Sequence, residues 1–155
     1  MTGMSYKTGK TLTIITLLVM LGACSSNGLK RAELHISKND WIRAVMEYRA
    51  ELEHDPGNVS VKSSLRHTEL RAAEHYFHAG MMQLTKKDYD AAIGLFEQGM
   101  VAMPDNEKLQ VSLRTAMAMR ERSSLMKEAQ RYKELGDLDK ERQILQRAIE
   151  LVPGD

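Results

Sequence analysis

Cysteine is nearly absent from this sequence of 155 residues: Cys24 is the only one, so no disulfide can form within the chain and no paired-cysteine metal or redox motif exists. An excess of either charge is also lacking, because 22 Lys and Arg balance 21 Asp and Glu, and this excludes the basic footprint of a nucleic-acid-binding protein. The sequence contains no glycine-rich phosphate loop, no HExxH and no GxSxG. We therefore predict a non-enzymatic chain with no catalytic residue, no cofactor, no metal and no small-molecule substrate.

Long apolar runs are missing as well. The most apolar segment, residues 12–21, is about half as long as the roughly 20 residues that a membrane-spanning helix needs. It follows two lysines, Lys7 and Lys10, and precedes the small residues Gly22 and Ala23. A positive start, a short apolar stretch and small residues at its end are typical of a secretory signal peptide. We therefore predict that residues 1–23 are removed on export.

The single cysteine immediately follows this segment, and the tetrapeptide Leu21-Gly22-Ala23-Cys24 resembles the lipobox of bacterial lipoproteins. The resemblance implies lipidation of the Cys24 thiol, cleavage before Cys24 and acylation of the new amino terminus. Several acyl chains, at about 0.8 kcal/mol per buried methylene, would hold the protein on a membrane. Ser25 stands where an aspartate would favour the inner membrane in the enterobacterial sorting pattern. We therefore expect the periplasmic face of the outer membrane.

Two other interpretations of Cys24 are open at this point: an ordinary signal peptide with an incidental cysteine, and a catalytic thiol. A catalytic thiol needs a positioned histidine and a folded pocket, whereas residues 25–28, Ser-Ser-Asn-Gly, are typical of a flexible linker. We predict a lipidated tether over residues 24–30.

The rest of the chain is repetitive. Three similar segments each begin near an aspartate and end at one of the three prolines: Asp40 with Pro56, Asp88 with Pro104, and Asp137 with Pro153. The prolines are 48 and 49 residues apart. Each aspartate is expected to accept hydrogen bonds from the first turn of a helix. Residues 58–87 and 106–135 contain no proline and carry apolar residues at helical spacing, so we predict an all-α chain in which long and short helices alternate.

The middle segment resembles a tetratricopeptide repeat (TPR). The matching residues are Tyr76, Ala79, Gly80, Gln83, Ala92, Phe96, Gly99 and Pro104. The first segment keeps Ala44, Tyr48 and Pro56, although its first helix, residues 28–37, matches poorly; the third keeps Ala129, Tyr132, Ala148 and Pro153 but has Glu141 where the family has alanine. The resemblance implies an all-α, TPR-like array of about three helical hairpins over residues 31–155. It also implies close helix approach at Gly80, Ala92 and Gly99.

The period of the repeat exceeds that of a TPR, which is about 34 residues. The excess of about 14 residues is close to four helical turns, and whole turns lengthen a helix without rotating its apolar face. We therefore expect continuous first helices of about 40 Å. The alternative is a break near Ala72-Ala73 or within residues 120–124, with an extra short helix in each unit.

A partner-binding groove follows from the TPR register. The register directs Phe77, His78 and Met81 of the second unit towards the groove, together with Met126 and Lys127 of the third. Methionine suits adaptable binding surfaces because its side chain is flexible and polarisable. The alternative is that Phe77 and Met81 belong to the core, where neighbouring helices would cover them.

The resemblance also implies a role. A lipobox followed by TPR units resembles the amino-terminal region found ahead of some secretin-type channels of type II secretion or type IV pilus systems, and also TPR pilotins. We expect a lipid-anchored adaptor that binds proteins of the cell envelope. The alternatives are support of β-barrel assembly or cell-wall synthesis, and a small metal-dependent hydrolase using Glu74, His75 and His78, whose usual interpretation is a polar helix surface.

Overall fold

The computed structural model describes residues 27–151, which form six α-helices and no strand. The helices are α1 (27–37), α2 (Trp41–His54), α3 (Val59–Thr85), α4 (Tyr89–Ala102), α5 (Glu107–Glu134) and α6 (Leu138–Leu151). The all-α prediction is confirmed for this part of the chain. Cys24 and Pro153 lie outside the described residues. Residues 27–30, which we predicted as the end of the tether over residues 24–30, belong to α1.

The long helices α3 and α5 are continuous. They contain 27 and 28 residues, so each is about 40 Å long at 1.5 Å per residue. The alternative prediction of breaks near Ala72 and within residues 120–124 is therefore wrong. Neither helix contains a proline. Within the second segment where a break was the alternative, Arg120 of α5 forms an ion pair with Asp90 of α4, and Arg120 Nη1 lies 3.0 Å from Asp90 Oδ1.

The turns that follow α1, α3 and α5 share one hydrogen-bond pattern. In each, an aspartate N–H donates to the carbonyl oxygen five residues earlier: Asp40 to His35 at 2.9 Å, Asp88 to Gln83 at 3.0 Å and Asp137 to Tyr132 at 3.0 Å. The preceding residue is left-handed in every case: Asn39 (φ 58°), Lys87 (φ 62°) and Gly136 (φ 77°). This is the Schellman motif, which satisfies the last carbonyls of a helix and reverses the chain.

Two of the three aspartates also cap the next helix. Asp88 Oδ1 accepts from the N–H of Ala91 at 3.1 Å, and Asp137 Oδ1 accepts from the N–H of Lys140 at 3.2 Å. The predicted capping is confirmed at these positions and is wrong at Asp40, which makes no side-chain capping bond. The Asp40 carboxylate instead lies beside polar side chains, with Oδ2 at 3.3 Å from His35 Nδ1 and 3.4 Å from Arg43 Nε.

The turns before α3 and α5 are equivalent to each other, 48 residues apart. Pro56 and Pro104 occupy these turns, and each is followed two residues later by an asparagine. Asn58 Oδ1 accepts from the N–H of Val61, and Asn106 Oδ1 accepts from the N–H of Leu109, both at 3.1 Å. Both long helices therefore begin with the same asparagine cap.

The described residues divide within α3 into two compact units, one ending at Glu69 and the other beginning at Leu70, whereas we predicted one repeat domain over residues 31–155. The core of the first unit consists of Ala32, Tyr48 and Val61, against which Leu29, Ile36, Leu52 and Leu65 pack. Ala44 is also fully buried in this unit. Burial raises the pKa of Tyr48, the negative charge of Glu33 adds to the increase, and a hydrogen bond with Ser64 opposes it.

The second unit has two hydrophobic clusters. The first is built from α3, α4 and α5 and contains Ala73, Ala92, Ile93, Phe96, Leu109 and Ala116. The second is built from α5 and α6 and contains Leu125, Ala129, Ile144 and Ala148, with Tyr132 packed against it. Glu141, where the TPR family has alanine, is partly exposed, and Lys140 Nζ lies 5.1 Å from the centre of the Tyr132 ring.

Candidate partner-binding site

Small residues bring the helices of the second unit close together. Ala92 is fully buried, and a Cβ atom placed on Gly99 would lie 2.8 Å from Leu109 Cδ1 and 3.1 Å from Tyr76 Cβ. A Cβ atom on Gly80 would collide with the Phe96 ring. The close approach predicted at Gly80 and Gly99 is confirmed, and Ala92 is buried in the same unit.

A groove opens beside this close packing, where the end of α3, the start of α4 and the middle of α5 meet. We name it the α3–α4–α5 groove. Its lining residues are Leu84, Thr85, Lys87, Tyr89, Met119, Arg122, Ser123 and Met126. Its volume is about 500 Å³.

The chemistry of the groove is apolar with a polar edge. Met119 and Met126 supply thioether side chains, and Met126 is 48 % exposed. Methionine side chains adapt their shape to different apolar partners at small cost. Lys87 and Arg122 supply positive charge beside these apolar groups. The groove can therefore accept apolar side chains from a protein segment that also carries acidic groups.

Phe77 does not line this groove. It packs against the cluster of α3, α4 and α5, and its ring centre lies 6.3 Å from that of Phe96. Lys108 Nζ lies 3.8 Å from the centre of the Phe77 ring, where a cation interacts favourably with the aromatic face. Phe77 shares a helix face with Ala73 and Gly80, because residues three and four apart are neighbours on a helix. Phe77 thus packs against the core, as in the alternative, and its role in partner binding stays a prediction.

Met81 and His78 lie elsewhere on α3. They line a second concavity of about 650 Å³ that we name the His–Met face: His75, His78, Ala79, Met81, Met82 and Thr85. Met81 is 40 % exposed, so the core alternative is wrong for this residue. Lys127 is exposed and is not among the residues lining either concavity. Of the five predicted binding residues, Met126 lines the α3–α4–α5 groove, whereas His78 and Met81 line the His–Met face.

Several groove residues had no sequence signal of their own. Lys87 lies in the groove because it adopts the left-handed conformation of the Schellman turn. Glycine and asparagine are the residues usually found in this conformation, so the sequence did not indicate a lysine there. Tyr89 follows as the first residue of α4. The abundance of methionine, 11 residues in the chain, was the one available indication, since Met119 and Met126 both line the groove.

The described part of the chain holds no metal site built from carboxylate and imidazole groups together. Within residues 27–151, no group of three or more His, Cys, Asp or Glu side chains is arranged to hold a metal ion. Glu74, His75 and His78 thus do not form the site that the hydrolase alternative requires.

Comparison with known proteins adds no family assignment: no protein-family model matches the chain, and no curated protein matches it either. Between residues 27 and 151, no helix combines the length and apolar character that crossing a membrane would require. Function is therefore inferred from the chain's own residues.

Proposed function

We propose that this chain is a non-enzymatic, TPR-type adaptor of the bacterial cell envelope, anchored by lipid on Cys24 to the periplasmic face of the outer membrane. In this proposal the α3–α4–α5 groove binds a segment of a protein partner. The observation that carries the proposal is the groove itself: an open, methionine-lined concavity of about 500 Å³ with Lys87 and Arg122 among its lining residues.

The repeated hydrogen bonds support the TPR-type assignment. The same Schellman turn recurs at Asp40, Asp88 and Asp137, and the same asparagine cap recurs at Asn58 and Asn106. Helical repeats stack such hairpins side by side and use the grooves between them to bind partners. A scaffold of this kind needs no catalytic group, in agreement with the motifs that the sequence lacks.

The amino-terminal segment supports the anchoring. The lipobox-like Leu21-Gly22-Ala23-Cys24 and the preceding lysines Lys7 and Lys10 direct a chain to export and lipidation. A lipid anchor confines the groove to partners at the same membrane. We propose a component of a secretin-type secretion or pilus system as the partner, because lipobox and TPR units together resemble the amino-terminal regions of such proteins.

Site-specific photo-crosslinking in cells tests this function. A photoreactive residue replaces Ser123, which lines the groove, and in a matched strain it replaces the adjacent Ser124, which is exposed and not part of the lining. Neighbouring positions on a helix differ by about 100° around its axis. We expect a discrete crosslinked product from Ser123 and a much weaker one from Ser124, with a secretion or pilus component identified by mass spectrometry.

The result that would reject the groove is equal crosslinking from both positions, or none from either when the variants reach the membrane at wild-type levels. A discrete product from Ser123 that contains a β-barrel assembly or cell-wall component would retain the adaptor function and reject the secretin-type partner.

A further inference from the structure

The His–Met face is unused by the proposed adaptor function, and its chemistry is distinctive. His75, His78 and Met82 are spaced i, i+3 and i+7 along α3. At about 100° per residue, these three positions fall within an arc of about 60°, and Met81 lies about 60° beyond His78. Two imidazoles and two thioethers therefore line one concavity over two helical turns.

Core packing does not account for this cluster. Phe77, which packs against the core, lies about 140° around α3 from Met82. Met82 is 59 % exposed and Met81 is 40 % exposed, so neither side chain is needed to fill the interior. Ala79, which has a small side chain, also lines this concavity.

The imidazole and thioether groups of the His–Met face indicate which metal ion would bind there. Zinc sites in proteins are built from Cys, His, Asp and Glu side chains, and within residues 27–151 no group of three or more of these side chains is arranged to hold a metal ion. Thioether sulfur is a soft donor that favours Cu(I), and imidazole nitrogen also suits copper.

We propose that the His–Met face is a Cu(I)-binding site, in which the imidazoles of His75 and His78 and the thioether of Met82 are the ligands and Met81 lies within reach as a further donor. This site does not depend on the adaptor function, because its proposed ligands do not line the α3–α4–α5 groove and the two concavities share only Thr85 among their lining residues.

The test uses the full chain in detergent with Cys24→Ser in every sample, which removes the only thiol. Cu(I) is titrated anaerobically against a chromogenic Cu(I) chelator. We expect one Cu(I) per chain, and a loss of affinity of roughly tenfold or more in His78→Ala and in Met82→Leu, since even changes behind the ligands of a metal site cost 10–100-fold. Met82→Leu keeps the size and helix propensity of the side chain, so it removes little besides the sulfur.

Matched controls are His67→Ala on α3 and Met117→Leu on α5, which remove one exposed imidazole and one exposed thioether elsewhere. Circular dichroism confirms that every variant keeps its helicity, and the methyl resonances of Met81 and Met82 should shift on addition of Ag(I), a redox-inert substitute for Cu(I). The proposal is overturned if Met82→Leu binds Cu(I) as tightly as Met117→Leu does. It is equally overturned if Zn²⁺ competes fully with Cu(I), because an imidazole pair alone would then explain the binding.

Discussion

Gly80 of α3 lies directly against the ring of Phe96 of α4. A Cβ atom on Gly80 would be 2.8 Å from both Cδ1 and Cζ of this ring, and the Phe96 side chain is fully buried. The ring cannot turn away without opening the cluster around it, because protein interiors are close-packed. Helices α3 and α4 can therefore approach this closely because residue 80 has no Cβ atom.

Gly80→Ala is therefore expected to destabilise the protein by about 1–2 kcal/mol, since overpacking of about 1–3 kcal/mol outweighs the gain of up to about 1 kcal/mol from replacing a helical glycine. The matched control is Gly94→Ala in α4, where nothing lies within 4 Å of the new Cβ atom. This control should gain about 0.5–1 kcal/mol. Urea denaturation of both variants measures the two free energies of unfolding, and equal shifts would contradict the close approach.

Substitutions at two left-handed residues of the Schellman turns should change the stability of the protein in opposite directions. Lys87 has φ 62° and Gly136 has φ 77°. A side chain costs about 1–2 kcal/mol in this conformation. Lys87→Gly should therefore stabilise the protein by about 1 kcal/mol, and Gly136→Ala should destabilise it by about 1 kcal/mol. Thermal melting followed by circular dichroism checks the signs, and a loss of stability in Lys87→Gly would show that the turn is misassigned.

Tyr48 makes stability depend on pH in the alkaline range. Its pKa is raised by burial and by the negative charge of Glu33, and its usual value is about 10. The unfolded chain therefore loses the phenolic proton first as the pH rises, so the contribution is complete below about pH 10 and is lost as the pH rises through the folded pKa. The free energy of unfolding should fall more steeply above about pH 10 in the wild type than in Tyr48→Phe. Parallel slopes would argue against this coupling.

Phe77 and Met81 should separate in their effects on stability, although both were predicted to line a groove. Phe77→Ala removes a ring that packs against the main cluster and is expected to cost about 2–4 kcal/mol. Met81→Ala changes a side chain that is 40 % exposed and should stay within about 0.5 kcal/mol of the wild type. Chemical denaturation of the two single variants measures both values. A Phe77→Ala variant as stable as the wild type would show that the Phe77 ring does not contribute to the core.

Cys24→Ser tests the anchor independently of the groove. The variant cannot form a thioether with lipid, so it should leave the outer-membrane fraction and lose incorporation of labelled palmitate. Fractionation of cells and metabolic labelling measure these outcomes, with Ser25→Ala as a matched control that keeps the thiol. Outer-membrane partitioning of Cys24→Ser equal to that of the wild type would reject the lipid anchor.

The helices and their small contact residues were predictable because they depend on local patterns. Prolines 48 and 49 residues apart, asparagines after two of them and glycines at helical spacing are all visible in the sequence. The role of Asp40 was less accessible: its carboxylate turns to His35 and Arg43 rather than to the first turn of α2, and this choice depends on side chains that reach it from two helices.

The candidate site was harder to predict because the rotation of α3 about its own axis decides which of its side chains face outward. Phe77 and Met81 are four residues apart, yet one packs against Phe96 and the other is exposed. A register carried over from a 34-residue repeat to a helix of 27 residues does not fix that rotation. The groove also depends on Lys87, whose position follows from a left-handed turn rather than from a periodic pattern.

The three Schellman turns have a consequence for the speed of folding. Their hydrogen bonds join residues no more than five positions apart, as between Asp137 and Tyr132, so they can form before any distant segment arrives. Chains dominated by such short-range contacts lose little entropy in closing loops, and helical proteins of this kind fold in roughly microseconds to milliseconds. Each hairpin can also act as a nucleus from which its neighbours add in turn. We therefore expect rapid refolding, with no slow phase that depends on one particular end of the chain.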